Sequence, residues 1–158
     1  MLTIYPLYKK KSLYPILAYW SFNNWYIHRN IPFKLVLHDY RRRASVNTLP
    51  FSFIAMWNDI PAGMISIKAT DLANRDDLTP WLSALFVSPE YRRNGIGGSL
   101  INTVLETAKK AGFKRIFLFI DSRYMDELEK FYLGRGWIFF DLEKDTDGKM
   151  TKILFHEL

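Results

Sequence analysis

The chain has 158 residues, 49% of them hydrophobic, and its 22 lysines and arginines outnumber 16 aspartates and glutamates to give a net charge of +6. This length is typical of one domain, and the apolar content excludes wholesale disorder. Because the sequence contains no cysteine, it excludes disulfides, thiolate metal sites and a cysteine nucleophile. No apolar run approaches the ~20 residues that span a bilayer, and the N-terminus lacks the pattern of a secretory signal, so we expect a soluble cytoplasmic protein.

The first half of the chain predicts two helices followed by a β-hairpin. Apolar residues at helical spacing predict a helix over 13–20, with Ser12 as its N-cap and Pro15 in its first turn. A weaker helical pattern follows around 33–40. Residues 51–57 and 63–69 predict two strands on either side of a break at 58–61. A polar loop containing Asp71, Asp76 and Asp77 comes next, and residues 81–87 predict a further strand.

The second half of the chain predicts alternating helices and strands. An apolar stripe from Ile96 to Ala108 indicates an amphipathic helix, which Gly112 ends. The nearly continuous apolar run at 115–120 predicts a buried strand. The predicted elements that follow are a short helix over 125–133, a strand over 137–140, a turn at 145–148 and a last strand over 151–155. This order predicts an α/β protein with a sheet in its middle layer.

Residues 87–100 have the composition of a phosphate-binding loop. A strand ends, two arginines follow, and three glycines open a helix. Helix N-termini leave backbone N–H groups unpaired and carry partial positive charge, and glycine lets a ligand approach them closely. The phosphate motifs G-x-x-x-x-G-K-[S/T] and G-x-G-x-x-G are both absent. The alternative is a purely structural turn, which is less favourable because glycine is about 1 kcal/mol worse than alanine inside a helix.

Two segments in this half of the chain resemble one known family. Residues 92–97, Arg-Arg-Asn-Gly-Ile-Gly, resemble the R/Q-x-x-G-x-G/A signature of the GNAT superfamily of N-acetyltransferases. Residues 131–137, Phe-Tyr-Leu-Gly-Arg-Gly-Trp, resemble a second segment of that family, and residues 77–82 resemble a subgroup of small bacterial members. The resemblance begins near residue 51. It implies one domain over 1–158 with an α/β (α+β) fold, in which helices flank a mixed, mostly antiparallel sheet splayed between strands 4 and 5.

The resemblance implies transfer of an acetyl group from acetyl-CoA to a primary amine of a small molecule or peptide, directly and in a ternary complex. The implied acetyl-CoA-binding residues are Leu85, Phe86, Val87, Arg92, Arg93, Asn94, Gly95, Ile96, Gly97, Gly98 and Ser99. In this reading, backbone N–H groups at about 93–98 hold the pyrophosphate, and residues 85–87 run beside the pantetheine arm. A backbone N–H near Val87 would polarise the thioester carbonyl.

Tyr132 is the residue that the resemblance assigns to proton transfer. A phenol with a pKa of ~10 can donate a proton to the departing thiolate, whose parent thiol has a pKa of ~8.5. Because the chain has nine tyrosines, only the family position distinguishes Tyr132 from a core aromatic residue. The general base stays open, since strand 81–85 lacks the acid that many members carry there. The candidates are Ser83, Asp121, a water relay and the aspartates of the 71–77 loop.

Two other classes of protein stay open as alternatives. The missing strand carboxylate is compatible with a non-catalytic acyl-CoA-binding or sensing protein of the same fold. A basic nucleic-acid-binding module is disfavoured, because neither basic cluster, at 9–11 and at 41–43, is interleaved with aromatic residues. We therefore expect acetyl-CoA and an amine acceptor as partners, no metal, no nucleic acid and no membrane, and a monomer or homodimer.

Overall fold

A mostly antiparallel seven-stranded sheet and four α-helices make up the computed structural model, which describes residues 1–158. The strands are β1 (Leu2–Pro6), β2 (Phe51–Trp57), β3 (Ile60–Lys68), β4 (Trp81–Val87), β5 (Arg115–Phe119), β6 (Ile138–Lys144) and β7 (Met150–Glu157). The helices are α1 (Tyr14–Ser21), α2 (Phe33–Arg43), α3 (Ile96–Lys110) and α4 (Met125–Leu133). The strand order is β1-β2-β3-β4-β5-β7-β6.

The predicted fold class is confirmed by the parallel pairing of β4 with β5 in this otherwise mostly antiparallel sheet. Trp81 and Phe117 form the one pair in register, and the Phe117 N–H donates to the Pro80 carbonyl at 3.0 Å. By contrast, β5 and β7 pair over five successive residues, from Arg115 to Phe119. The short contact between β4 and β5 is the splay expected between strands 4 and 5.

The chain divides into two compact units, Met1–Ile67 with Ala84–Val104, and Lys68–Ser83 with Leu105–Leu158. The boundary passes through β4 and α3, and the prediction of one domain over the whole chain stays a prediction. In the first unit, α1 and α2 bury Leu17 and Tyr40 against side chains of β2 and β3. In the second unit, Trp81 and Phe117 pack with three further apolar residues, Leu72, Leu78 and Ile153. Each unit thus has its own hydrophobic cluster.

The predicted hairpin is confirmed, with a tighter turn than expected. Asn58 and Asp59 both have positive φ angles, 47° and 64°. Two consecutive left-handed residues are the requirement of the type I′ turns that connect hairpin strands with native twist. As a result β3 already begins at Ile60, three residues before the predicted start.

The N-terminal segment differs most from the sequence prediction. Residues Leu2–Pro6 form the edge strand β1, antiparallel to β2, which the sequence did not predict. A 3-10 segment, Leu7–Leu13, then takes up Ser12, so the prediction of Ser12 as the N-cap of α1 is wrong; Leu13 occupies that position without a side-chain hydrogen bond. The buried Leu7 side chain holds this segment against the core. None of the helices has both the length and the apolar character needed to cross a lipid bilayer.

Candidate functional site

The turn between β4 and α3 is exposed, and two of its residues have a left-handed backbone conformation. Arg93 has φ 64° and Gly95 has φ 75°, with Asn94 between them. A left-handed arginine is strained, and such residues persist where the surrounding structure imposes them, often at ligand sites. Changes of handedness along a turn make successive N–H groups converge into an anion-binding concavity. A β-carbon added to Gly95 would meet no heavy atom within 4 Å, so the space beside this residue is open.

The first turn of α3 presents unpaired backbone donors to this space. The Ser99 N–H donates to the Gly95 carbonyl at 3.1 Å and closes the first turn of the helix. The N–H groups of Ile96, Gly97 and Gly98, which precede it, therefore have no acceptor within the helix. The Ile96 side chain is buried and anchors the helix start, so this residue can offer only its backbone. Because the Ser99 N–H is already used, its hydroxyl is the group left to contact a ligand.

Side chains of the loop fix its shape as well as its charge. The Arg92 Nε–H donates to the Val87 carbonyl at 3.0 Å and ties the loop to the end of β4. The Asn94 amide donates to the carbonyls of Tyr91 and Arg92, at 3.0 and 3.2 Å, and closes the turn from inside. Asn94 is therefore a structural residue of the loop in this geometry. Arg93 is exposed and forms no ion pair, which leaves its guanidinium available to an anion.

One carboxylate, that of Glu90, lies beside these arginines in the sequence. It accepts a hydrogen bond from the Ser88 hydroxyl, and this bond lowers the pKa of Glu90 below its ordinary value. Glu90 is therefore ionised at neutral pH. Two arginines against one carboxylate still leave the loop with a net positive charge, which favours binding of an anion.

Strand β4 is kinked inside the first unit, immediately before the residues predicted to contact pantetheine. Ala84 has φ 54°, a left-handed conformation that breaks the regular extension of a strand. Leu85, Phe86 and Val87 are half-buried. The kink cannot be predicted from the sequence, because alanine has no preference for a left-handed conformation.

Gly63 of β3 sets how closely the two strands approach at Phe86. A β-carbon at Gly63 would lie 2.8 Å from the Phe86 carbonyl oxygen, closer than side-chain carbons come to backbone. Sequence analysis missed this residue, although a glycine inside a strand is itself a signal of close backbone approach. On the side-chain level, the Phe86 ring lies 5.1 Å from the Trp20 ring, centroid to centroid.

Tyr132 belongs to the second unit, near the end of α4. The residue is 6% exposed, and its ring packs edge-on against Phe131 and Trp137, with centroid distances of 5.1 and 5.7 Å. Its carbonyl accepts the N–H groups of Arg135 and Trp137, which fixes the turn after the helix. Burial raises the pKa of the Tyr132 phenol, because the charged phenolate would lose its hydration. The phenol is therefore in its protonated state throughout the neutral range.

Most of the carboxylates that are candidates for the general base form ion pairs with arginine or lysine side chains. Asp121 accepts hydrogen bonds from the backbone and guanidinium of Arg123, at 2.5 to 3.1 Å. Asp71 lies 2.6 Å from the Lys68 ammonium, and Asp77 accepts two bonds from Arg75, which lower the pKa of Asp77. The lowered pKa makes Asp77 a weaker proton acceptor. No cluster of three potential metal-ligating side chains is found.

The sequence matches the profile of the Acetyltransferase (GNAT) family over residues 10–137, and curated protein sequences give no match. An acetyltransferase of the GNAT family from Streptococcus pneumoniae is 16% identical with a TM-score of 0.68, each chain covered over 100% of its length. An aminoglycoside 6'-N-acetyltransferase complexed with coenzyme A is 15% identical with a TM-score of 0.72, over 98% of this chain and 96% of that one.

A Bacillus anthracis protein solved in complex with acetyl coenzyme A is a third structural neighbour. It is 18% identical with a TM-score of 0.59, and the match covers 72% of this chain but only 65% of that one. At these identities, the likeness to solved structures establishes the fold.

Proposed function

Because the chain belongs to the GNAT acetyltransferase family, we propose that it is an N-acetyltransferase that moves an acetyl group from acetyl-CoA to a primary amine of a small molecule or peptide. The observation that carries the proposal is the loop before α3, with its unpaired N–H groups and net positive charge. Two structural neighbours bound to acetyl-CoA or CoA support the same donor. A cytoplasmic location, a single domain and a monomeric or dimeric state belong to the proposal.

Within this proposal, the pyrophosphate of acetyl-CoA binds at the start of α3. The N–H groups of Ile96, Gly97 and Gly98 donate to its oxygens, and the exposed Arg93 guanidinium neutralises its charge. Leu85–Val87 pairs with the extended pantetheine arm in the way that a sheet accepts an added strand. A backbone N–H near Val87 donates to the thioester carbonyl as negative charge develops there.

The acetyl group then passes directly to the amine. The neutral amine nitrogen attacks the carbonyl carbon, a C–N bond forms, the C–S bond breaks, and the sulfur takes a proton from the Tyr132 hydroxyl. The phenolate then regains a proton from the solvent. The attacking nitrogen releases its proton to water or to a nearby base. The lack of cysteine supports direct transfer over an acyl-enzyme formed on a thiol.

A carboxylate placed in the first turn of α3 tests this function. We expect Gly97→Asp to weaken binding of acetyl-CoA by about tenfold or more, because it adds bulk and negative charge where charge-assisted hydrogen bonds would form. Asn102→Asp, at an exposed position further along α3, is the matched control and should bind like the wild type. Calorimetry gives the affinities, and thiol release from acetyl-CoA with a panel of primary amines gives the turnover.

The experiment distinguishes an enzyme, a non-catalytic acyl-CoA sensor and a protein without this pyrophosphate site. Amine-dependent thiol release that fails in Gly97→Asp but not in Asn102→Asp supports the enzyme. Tight binding without release for any amine would replace the enzyme by an acyl-CoA sensor. Equal affinity of both variants and the wild type would overturn the pyrophosphate site.

A further inference from the structure

A second positively charged pocket lies within the first unit, at the C-terminal end of α2. Its volume is about 450 Å³, and its walls include His38, Arg41, Arg42 and Arg43 from α2 and Thr48 and Leu49 from the segment that follows. This volume is in the range of small-molecule sites, which are typically ~300–1,000 Å³. The proposed acetyl-transfer function uses none of these residues.

The walls of this pocket contain three arginines and no carboxylate. Asp39 is the acid on the same helix, and it is already engaged, 2.7 Å from Arg43 and 3.7 Å from Arg42. Arg41 forms no ion pair and is exposed. The pocket therefore carries an excess of positive charge that no group of the chain neutralises, and this excess selects an anion.

Arg43 is a buried wall residue of this pocket. Its side chain is 5% exposed, and its terminal nitrogens donate to Asp39 and to the hydroxyls of Ser66 and Ser52, at 2.7, 3.1 and 3.4 Å. Its Nε–H is buried, so the pocket does not reach that donor. The Tyr40 ring, 4.5 Å from the guanidinium carbon, holds this side chain in place.

Basic residues at a helix C-terminus also stabilise the helix dipole. This effect accounts for Arg41 and Arg42, which are exposed in the last turn of α2. It does not require a third, buried arginine among the walls of the pocket. Nor does it require the apolar residues Leu49 and Pro50 to line the same pocket as the guanidinium groups.

We propose that this pocket binds a small organic phosphate monoester. Guanidinium groups match the oxygens of phosphate in bidentate geometry, and several of them together favour a dianion over a monoanionic carboxylate. The apolar part of the ligand packs against Leu49 and Pro50, which line the same pocket. The site is distinct from the loop before α3, and it binds its ligand whether or not acetyl-CoA is present.

Calorimetric titration of the full chain with phenyl phosphate, at fixed salt, tests the proposal. Arg41→Ala/Arg42→Ala removes two charges from the pocket, and Lys9→Ala/Lys11→Ala removes the same number from exposed positions outside it. We expect the first variant to bind phenyl phosphate about tenfold more weakly or worse, the scale of a lost charge-assisted hydrogen bond. The second variant should bind like the wild type, and benzoate should bind more weakly than phenyl phosphate.

Saturating CoA and the variant Gly97→Asp should leave phenyl phosphate binding unchanged, which keeps this test separate from that of the acetyl-transfer function. The proposal is overturned by equal losses in both double variants, which would indicate general charge attraction. It is also overturned if CoA displaces phenyl phosphate, if benzoate binds as tightly, or if the wild type binds none of these probes. Tighter, strongly salt-dependent binding of a short single-stranded oligonucleotide would replace it by a nucleic-acid surface.

Discussion

At the scale of single residues, Tyr132 combines burial with a proton that it holds firmly. The surrounding aromatic rings exclude water from most of its side chain, and the phenol stays neutral where an exposed phenol would begin to ionise. The same burial would be found for a tyrosine that only fills the core. Measurements of kinetics and of stability together distinguish a catalytic tyrosine from one that only fills the core.

Replacing Tyr132 by phenylalanine tests its chemical role. We expect Tyr132→Phe to lower the rate of acetyl transfer by about 100-fold or more, the scale of general-acid assistance. Affinity for acetyl-CoA should stay the same, because the ring remains and only the hydroxyl is lost. Steady-state kinetics with calorimetry measures both quantities, and an unchanged kcat would remove Tyr132 from the mechanism.

The same variant has a consequence for stability in alkali. The folded-state pKa of Tyr132 is raised, whereas in the unfolded chain the phenol ionises near a pKa of ~10. The unfolded state therefore loses its proton first, so the stability contribution is complete below about pH 10 and declines above it, by about 1.4 kcal/mol per pH unit. Denaturant unfolding at about pH 8 and about pH 11 should show a larger loss for the wild type than for Tyr132→Phe. Parallel losses would mean that the folded phenol ionises normally.

Arg43 is the buried cation of the first unit, and its removal should destabilise the fold. We expect Arg43→Ala to lower the free energy of unfolding by about 2–3 kcal/mol, because it removes the buried guanidinium that donates to Asp39, Ser52 and Ser66. Arg43→Met should lower the free energy of unfolding by less, since the methionine fills the space of the aliphatic part of the arginine side chain. Denaturant unfolding measures both variants, and equal stability of Arg43→Ala and the wild type would contradict the buried network.

At the scale of elements, the sequence predicted most helices and strands, and it failed where tertiary contacts decide. The bounds of α4 and β4 match the prediction, because their apolar patterns and flanking breakers are strong. Strand β1 is short and gains its pairing from β2, a partner far along the chain, which no local pattern encodes. The left-handed kink at Ala84 and the burial of Arg43 could not be predicted either. Alanine does not prefer a left-handed backbone, and arginine is seldom buried.

Close packing of β3 on β4 makes Gly63 a sensitive position. We expect Gly63→Ala to lower the free energy of unfolding by about 1–3 kcal/mol, since its β-carbon would press against the Phe86 carbonyl and displace β4. Gly134→Ala is the control, because its φ of −64° tolerates alanine and its nearest backbone contact would be looser, at 3.2 Å. Thermal unfolding compares them, and an equal or smaller loss for Gly63→Ala would contradict the close approach.

At the scale of the whole molecule, the net charge and the loop before α3 both favour binding of a polyanion. A net charge of +6 attracts polyanions in general, and the first turn of α3 adds donors in a fixed arrangement. The sequence predicted this loop from its glycines and arginines, because the conformations they permit are local. It left the acetyl acceptor open, because no motif in the sequence identifies one.

Acetyl-CoA binding is the central claim, and a thermal-shift titration with acetyl-CoA, CoA and ATP at fixed salt tests it most directly. A ligand present at 100 times its Kd stabilises the native state by about 2.7 kcal/mol, which is a clear rise in Tm. We predict such a rise with acetyl-CoA and with CoA, and a much smaller one with ATP, which shares the phosphates but lacks the pantetheine arm. No rise with either form of CoA would contradict the account and make the glycine turn a structural feature alone.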